Sequence, residues 1–148
     1  PPSHNGMNGD NINDIYVDGG DRIWLANYPA GVTIRNNRYQ SYEWFRHSPG
    51  NSRSLVNDQV HDVIEDSEGD LWFATSNGIS LLQPAVGRWR SFPSRSDGIQ
   101  DGGNHIFLTL CEVSPGVICA GGYASGLYRI EKKTGRVEYF PPSFWEVV

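Results

Sequence analysis

The chain has 148 residues, a formal net charge of −5, 12% aromatic residues, 17 glycines and nine prolines, which suits one domain with a core of its own. Its Lys and Arg residues form no stripe or patch, so nucleic acid is not expected as a partner, since neutralising phosphates needs clustered cations. No apolar run of about 18 residues is present, so the segment itself is not expected to span a membrane; it opens on Pro1-Pro2 without a signal peptide, as expected of a mature or excised segment.

Short alternating or apolar runs bounded by Gly, Pro, Asn and Asp predict strands throughout. In chain order they fall at 12–17, 22–26, 31–35 and 39–43, then 59–65, 70–75, 79–83 and 88–92, then 106–112, 117–121, 126–131 and 137–140. No segment sustains a 3.6-residue apolar period with caps, so no helix is expected. Asp66-Ser67-Glu68-Gly69 is turn chemistry, in which Asp bonds back to the backbone and Gly supplies a positive φ.

These strands repeat. Asn13-Asp14-Ile15, Asp18, Gly20 and Ile23-Trp24-Leu25-Ala26 return as His61-Asp62-Val63, Asp66, Glu68-Gly69 and Leu71-Trp72-Phe73-Ala74, with the tryptophans 48 residues apart. A fainter copy runs from Leu108 to Ala120 and puts Ile118 in the tryptophan slot, 46 residues after Trp72. A period in the forties made of short strands predicts propeller blades. The fold class expected is all-β, with three four-stranded antiparallel repeats at about 6–47, 54–93 and 98–140, and 141–148 leading toward a next blade. Gly6-Met7, Ser54-Leu55 and Gly98-Ile99 place an apolar residue before each repeat, as a plug between blades. Pro1-Pro2-Ser3 echoes Pro141-Pro142-Ser143, as if the chain were cut at equivalent joints. Propellers close with roughly four to eight blades. Three are therefore expected to belong to a larger propeller of about seven, or to self-associate through their open edges.

The string from Val60 to Ile79, with His61-Asp62-Val63, Asp66, Gly69 and Leu71-Trp72-Phe73-Ala74, closely resembles the two-component regulator propeller repeat. The first copy resembles it well and the third faintly. The resemblance implies the periplasmic sensor region of a hybrid two-component system of the Bacteroidetes type. In that family, propellers outside the inner membrane bind oligosaccharides released from polysaccharides, and a histidine kinase lies inside. No kinase residues occur in this chain, so the segment is expected to be non-catalytic and to meet the membrane only through its parent protein.

Trp24 and Trp72 recur at one strand position and read as core between blades rather than as sugar platforms. Asp66, Glu68 and Asp70 invite a calcium reading, yet the twelve-residue loop with its closing Glu is missing, and turn chemistry suffices. No metal or other cofactor is expected; His4, His47, His61 and His105 do not fall at ligand spacing, although His61 and His105 could face the mouth of the channel. Cys111 and Cys119 read as two small buried thiols, with a cross-strand disulfide open if the turn at Ser114-Pro115-Gly116 sets the register. Binding is expected where the loop after the second strand of each blade and the link between blades open on one face. Those segments carry Asn27, Tyr28, Asn77 and Tyr123, together with Trp44, Arg46, His47, Arg53 and Asn57. Such aromatic, amide and cationic groups suit an oligosaccharide. The alternative is that these blades serve closure or dimerisation, aided by Tyr139, Phe140, Phe144 and Trp145. A propeller lyase or glycosidase would need converging carboxylates or a His base, and no such set is legible.

Overall fold

The computed structural model describes residues 6–93, 99, 103 and 105–143. Twelve strands form three separate four-stranded antiparallel sheets. The first blade holds β1 (Asn11–Val17), β2 (Arg22–Tyr28), β3 (Gly31–Asn36) and β4 (Ser41–Phe45). The second holds β5 (Val60–Glu65), β6 (Leu71–Thr75), β7 (Gly78–Gln83) and β8 (Arg88–Phe92). The third holds β9 (Phe107–Ser114), β10 (Val117–Gly122), β11 (Gly126–Glu131) and β12 (Val137–Phe140). Each sheet keeps its strands in chain order, and β5 packs on β1 and β2 as β9 packs on β5 and β6. The first strands thus stand side by side along one inner wall, as in the β-propeller fold. Strand β4 begins later than expected because Asn36 accepts hydrogen bonds from Arg38 N and Tyr39 N, holding those residues in the turn. Gly98 of the third expected plug, the Pro1-Pro2-Ser3 copy of the expected joint, and Phe144 and Trp145 of the dimerisation alternative lie outside the described residues.

Two apolar cores fill the two joints. Trp24, Ala26, Val32 and Ile34 of the first blade meet Val60, Val63, Leu71, Phe73 and Leu82 of the second, with Leu55 between them. Trp72, Ala74, Ile79 and Leu81 of the second meet Phe107, Leu110, Ile118 and Ala120 of the third, with Ile99 against them. Leu55 and Ile99 are the expected plugs; Met7, at the first blade, is 51% exposed. Trp24 stacks on Phe45 and reaches across the joint to Phe73, with centroids 6.0 and 5.9 Å away.

An acid from each of the first two blades holds the next. Asp14 accepts a hydrogen bond from Val63 N at 2.9 Å, and Asp62 accepts one from Leu110 N at 2.6 Å. This ladder fixes which positions are equivalent: Val63 faces Phe73 in its sheet, and Leu110 faces Ala120. Ala120 therefore matches Phe73, and Cys119, not Ile118, occupies the tryptophan slot of the third blade. Ile118 corresponds to Leu71, on the face turned to the preceding blade. The cysteines are not two buried thiols either: Cys111 is exposed and Cys119 half-buried.

Candidate functional site

The upper face of the blades is where the second strand turns into the third and where each link enters the next blade. Backbone bonds join these segments: Gly31 N donates to Asp58 O, Gly78 N to His105 O and Tyr123 N to Ile106 O, each at 2.8 Å, and Ser76 N donates to Gln59 O at 3.0 Å. Gly31 sits at φ +83°, and a Cβ there would come 2.3 Å from Phe45 O, so only glycine lets the turn close on the link. At the inner rim each first strand carries a β-bulge, at Asn13, His61 and Leu108, where the pairing register slips by one residue. A bulge re-aims the extra side chain out of the alternating pattern.

Two of these bulged side chains build a polar cluster. The Asn13 amide donates to Val60 O at 3.0 Å and lies 3.4 Å from His61 Nδ1. His61 Nε2 meets Ser76 Oγ at 2.7 Å, and the Tyr28 ring packs on the imidazole with centroids 5.7 Å apart. Burial pushes the His61 pKa below its ordinary value, which favours the neutral ring. A neutral imidazole offers one donor and one acceptor, and with the amide, the hydroxyl and the ring this is a set suited to a polyhydroxylated ligand. One residue along, Asp62 is pushed up to about 6 by burial first, then by its hydrogen bond with Asp14 and the charge of that carboxylate.

The expected site residues are distributed differently from one another. Tyr28 lies in the cluster, and Asn77 beside it has its N–H bonded to Thr75 Oγ1 at 3.1 Å. Tyr123, 59% exposed, stands on the corresponding turn of the third blade. Asn27 is fully buried and takes the Thr33 hydroxyl on its Oδ1 at 2.6 Å, so its side chain supports the turn from beneath. Trp44 donates to Gly6 O at 3.1 Å, while Arg46 lies over the Trp44 ring and bonds Asn8 Oδ1, so both tie down the segment entering the first blade. His47 is locked into the link, its ring nitrogen 2.7 Å from Leu55 O and its N–H on Asp58 Oδ1 at 2.6 Å. Asn57 forms a local turn by accepting from Gln59 N at 2.8 Å. Arg53 lies elsewhere: the long link descends the outer wall and sets it beside Val86, Gly87, Arg88 and Trp89, at the lower hairpin of the second blade. Sequence reasoning left Asn13 and Ser76 out of the candidate site and took His61 only as a residue that could face the mouth of the channel. Their only local signal is polarity next to the repeat motif, because a bulge leaves no period to detect.

At the lower face the acidic turns have a different task. Asp18 Oδ1 accepts from Gly20 N and Arg22 N, and Oδ2 accepts from Trp24 Nε1 at 2.7 Å. Asp66 repeats this with Glu68 N, Asp70 N and, at 2.9 Å, Trp72 Nε1. The Lys132 ammonium of the third blade reaches Asp66, Glu68 and Asp70 at 2.7, 2.5 and 2.6 Å. A fixed cation from the chain therefore lies where the calcium reading would put an ion. Burial alone would raise the Asp66 pKa, but hydrogen bonds from Lys132, Trp72 and the turn hold it below the ordinary carboxylate value.

Residues 54–77 match the family model described as the two component regulator propeller. Comparison with curated proteins finds no match. Among solved structures, the chain is similar to the extracellular domain of BT3049, assigned to a hybrid two component system of B. thetaiotaomicron, at TM-score 0.79 and 22% identity over 93% of this chain. The extracellular domain of BT4673 from the same organism aligns at TM-score 0.70 and 22% identity over 94%. PorZ, a surface component of the type-IX secretion system of Porphyromonas gingivalis, aligns at 0.60 and 20% over 84%. The chain spans only 19%, 18% and 18% of those three structures. Its second blade therefore carries, over residues 54–77, a two-component regulator propeller repeat, within a β-propeller fold shared with those extracellular domains.

Proposed function

We propose that this chain is a non-catalytic part of the extracellular or periplasmic ligand-sensing region of a hybrid two-component signalling protein, and that its upper face binds an oligosaccharide from polysaccharide breakdown. The matched repeat and the likeness to two such extracellular domains support the sensor assignment. The observation that carries the ligand reading is the cluster of Tyr28, His61, Ser76 and Asn13, with Asn77 and Tyr123 on the adjoining turns. Sugar rings present C–H faces that pack on aromatics, and hydroxyls that need fixed donors and acceptors. Signalling then requires the ligand to bind two arrangements of the parent protein with different affinity. No helix among the described residues is long and apolar enough to cross a membrane, so anchoring is assigned to the parent.

A second reading rests on the outer side of the first blade. Ile15 there is 60% exposed, whereas its counterpart Val63 is 1% exposed beneath the first blade. Such a face suits a neighbouring blade of the parent or a second copy, and the segment would then serve assembly rather than recognition. Calorimetric titration of the chain with a panel of polysaccharide-derived oligosaccharides separates the two. On the ligand reading, one class binds and affinity falls about tenfold or more in Tyr28→Ala and in His61→Ala, a loss of about 1.4 kcal/mol. Uniform absence of heat, with concentration-dependent dimerisation in light scattering, would favour assembly.

A further inference from the structure

The third blade changes one particular pair of positions. In the first blade Tyr16 stands directly opposite Trp24 on neighbouring strands, and in the second Ile64 stands opposite Trp72. In the third, the residues directly opposite each other at these positions are Cys111 and Cys119. Both positions of the pair have become cysteine together, and in this chain Cys111 is exposed and Cys119 half-buried. Directly opposed residues of an antiparallel ladder point to the same side of the sheet, with Cα atoms about 4.5–5.5 Å apart. A disulfide spans Cα separations of about 4.4–6.8 Å.

We propose that Cys111 and Cys119 are a redox site that closes into a cross-strand disulfide by exchange with a small-molecule disulfide. Cys111, the more exposed, reacts first: its thiol loses a proton, and the thiolate sulfur attacks one sulfur of the small disulfide, expelling one thiol equivalent. Cys119 then loses its proton and its sulfur displaces the second equivalent from Cys111, forming the bond between β9 and β10. Two protein thiols give up two electrons and two protons, and one small disulfide becomes two thiols. Burial pushes the Cys119 thiol up, against the nearby Arg129 charge, which suits it to the second step rather than the first. The same face differs in chemistry from its counterparts: Gly121 replaces Ala26 and Ala74, and Arg129, paired with Glu138 at 3.4 Å, replaces Ile34 and Leu81. An exposed bond of this kind is reducible and can report or respond to redox poise.

The test is intact-mass analysis of the folded chain after incubation with oxidised glutathione, followed by alkylation under denaturing conditions. The expected product is a monomer lighter by two hydrogens that takes up no alkyl group, restored to two alkylation sites by dithiothreitol. The variant C119S is expected to stop at a mixed disulfide with glutathione on Cys111 and C111S to react more slowly, both with an unchanged near-ultraviolet circular dichroism spectrum. Persistence of two free thiols, glutathione remaining on the unmutated chain, or a disulfide-linked dimer would overturn the proposal.

Discussion

The second and third blades share one plan but not one chemistry, and the contrast shows what the repeat motif is made of. In the second blade Trp72 fills the joint, its indole N–H is held by Asp66, and Asp66 also ties the turn and receives Lys132. In the third blade the corresponding residues are Cys119 and Val113. Donor and acceptor have disappeared together, as expected if they form one unit: a buried indole N–H without its acceptor, or a buried carboxylate without its donor, would be destabilising. The side of the third blade that faces the second keeps Leu110, Ile118 and Ala120 buried, while its other side carries two thiols and an ion pair.

The sharpest way to break this comparison is to truncate both slots. Trp72→Ala is expected to destabilise by about 3–5 kcal/mol, and Cys119→Ala by about 0.5 kcal/mol or less, read from urea unfolding monitored by circular dichroism. Equal losses would mean that the two slots are not different in kind. Next in size is Lys132→Met, which leaves Asp66 buried beside Glu68 and Asp70; about 3 kcal/mol is expected at pH 7. Because Asp66 is held below its ordinary value, its contribution is present above that value and is lost as pH falls through the folded pKa. The Met variant should therefore lose part of the acid sensitivity along with the stability. A loss confined to about 0.5 kcal/mol would reassign the cage to a solvated surface cluster.

A smaller effect separates the first blade from the second. Val63→Ala should cost about 2 kcal/mol and Ile15→Ala about 0.5 kcal/mol or less, since only the former empties a covered joint. Matching losses in the chain alone would point to self-association over the Ile15 face, which sedimentation would reveal. The smallest effect concerns the ladder of acids. Asp62 is raised to about 6 from 3.8, so the folded chain binds the extra proton between those values, and this group adds stability as pH falls through that window. Asp62→Asn, which keeps an acceptor for Leu110 N, is expected to add about 1 kcal/mol at pH 7.5, after discounting for partial solvent access, and to remove that acid-side gain. Comparing it with the parent chain cancels the opposite contribution of His61, whose lowered pKa removes stability as pH falls below its ordinary 6.5. A flat difference between the two chains across pH 4–7 (a window about the cited pKa values) would contradict the coupling.

The strand plan was legible because turn residues and the Trp-bearing motif recur at nearly fixed spacing. The register of the third blade was not. Strand β6 is buried along its whole length, from Leu71 to Thr75, so alternation cannot tell which face each residue takes. Ile118 and Ala120 therefore fitted the Trp72 and Ala74 pattern as readily as the Leu71 and Phe73 pattern, and only the hydrogen bond from Leu110 N to Asp62 decides. Lys132 lies 66 residues from Asp66, a contact set by the approach of two sheets and invisible in local spacing. The place of Tyr28 on the upper face was legible, because loops at that point in the repeat must open there. Asn13 escaped, and His61 was read no further than the mouth of the channel, because bulges break the period; Arg53 was placed on the wrong face because the path of a long link is not written in its composition.

One further contrast bears on function. The upper cluster around Tyr28 and His61 is polar and aromatic, whereas the lower face has a groove of about 560 Å³ lined by Arg88, Arg90, Lys132 and Lys133 together with Glu68 and Glu131. The most direct measurement is nuclear magnetic resonance mapping of the labelled chain during titration with the oligosaccharide that binds best by calorimetry. The ligand reading predicts saturable shifts at Asn13, Tyr28, His61 and Ser76, abolished in His61→Ala. Shifts confined to the Arg88, Arg90 and Lys133 groove, or none on the upper face at saturation, would contradict it.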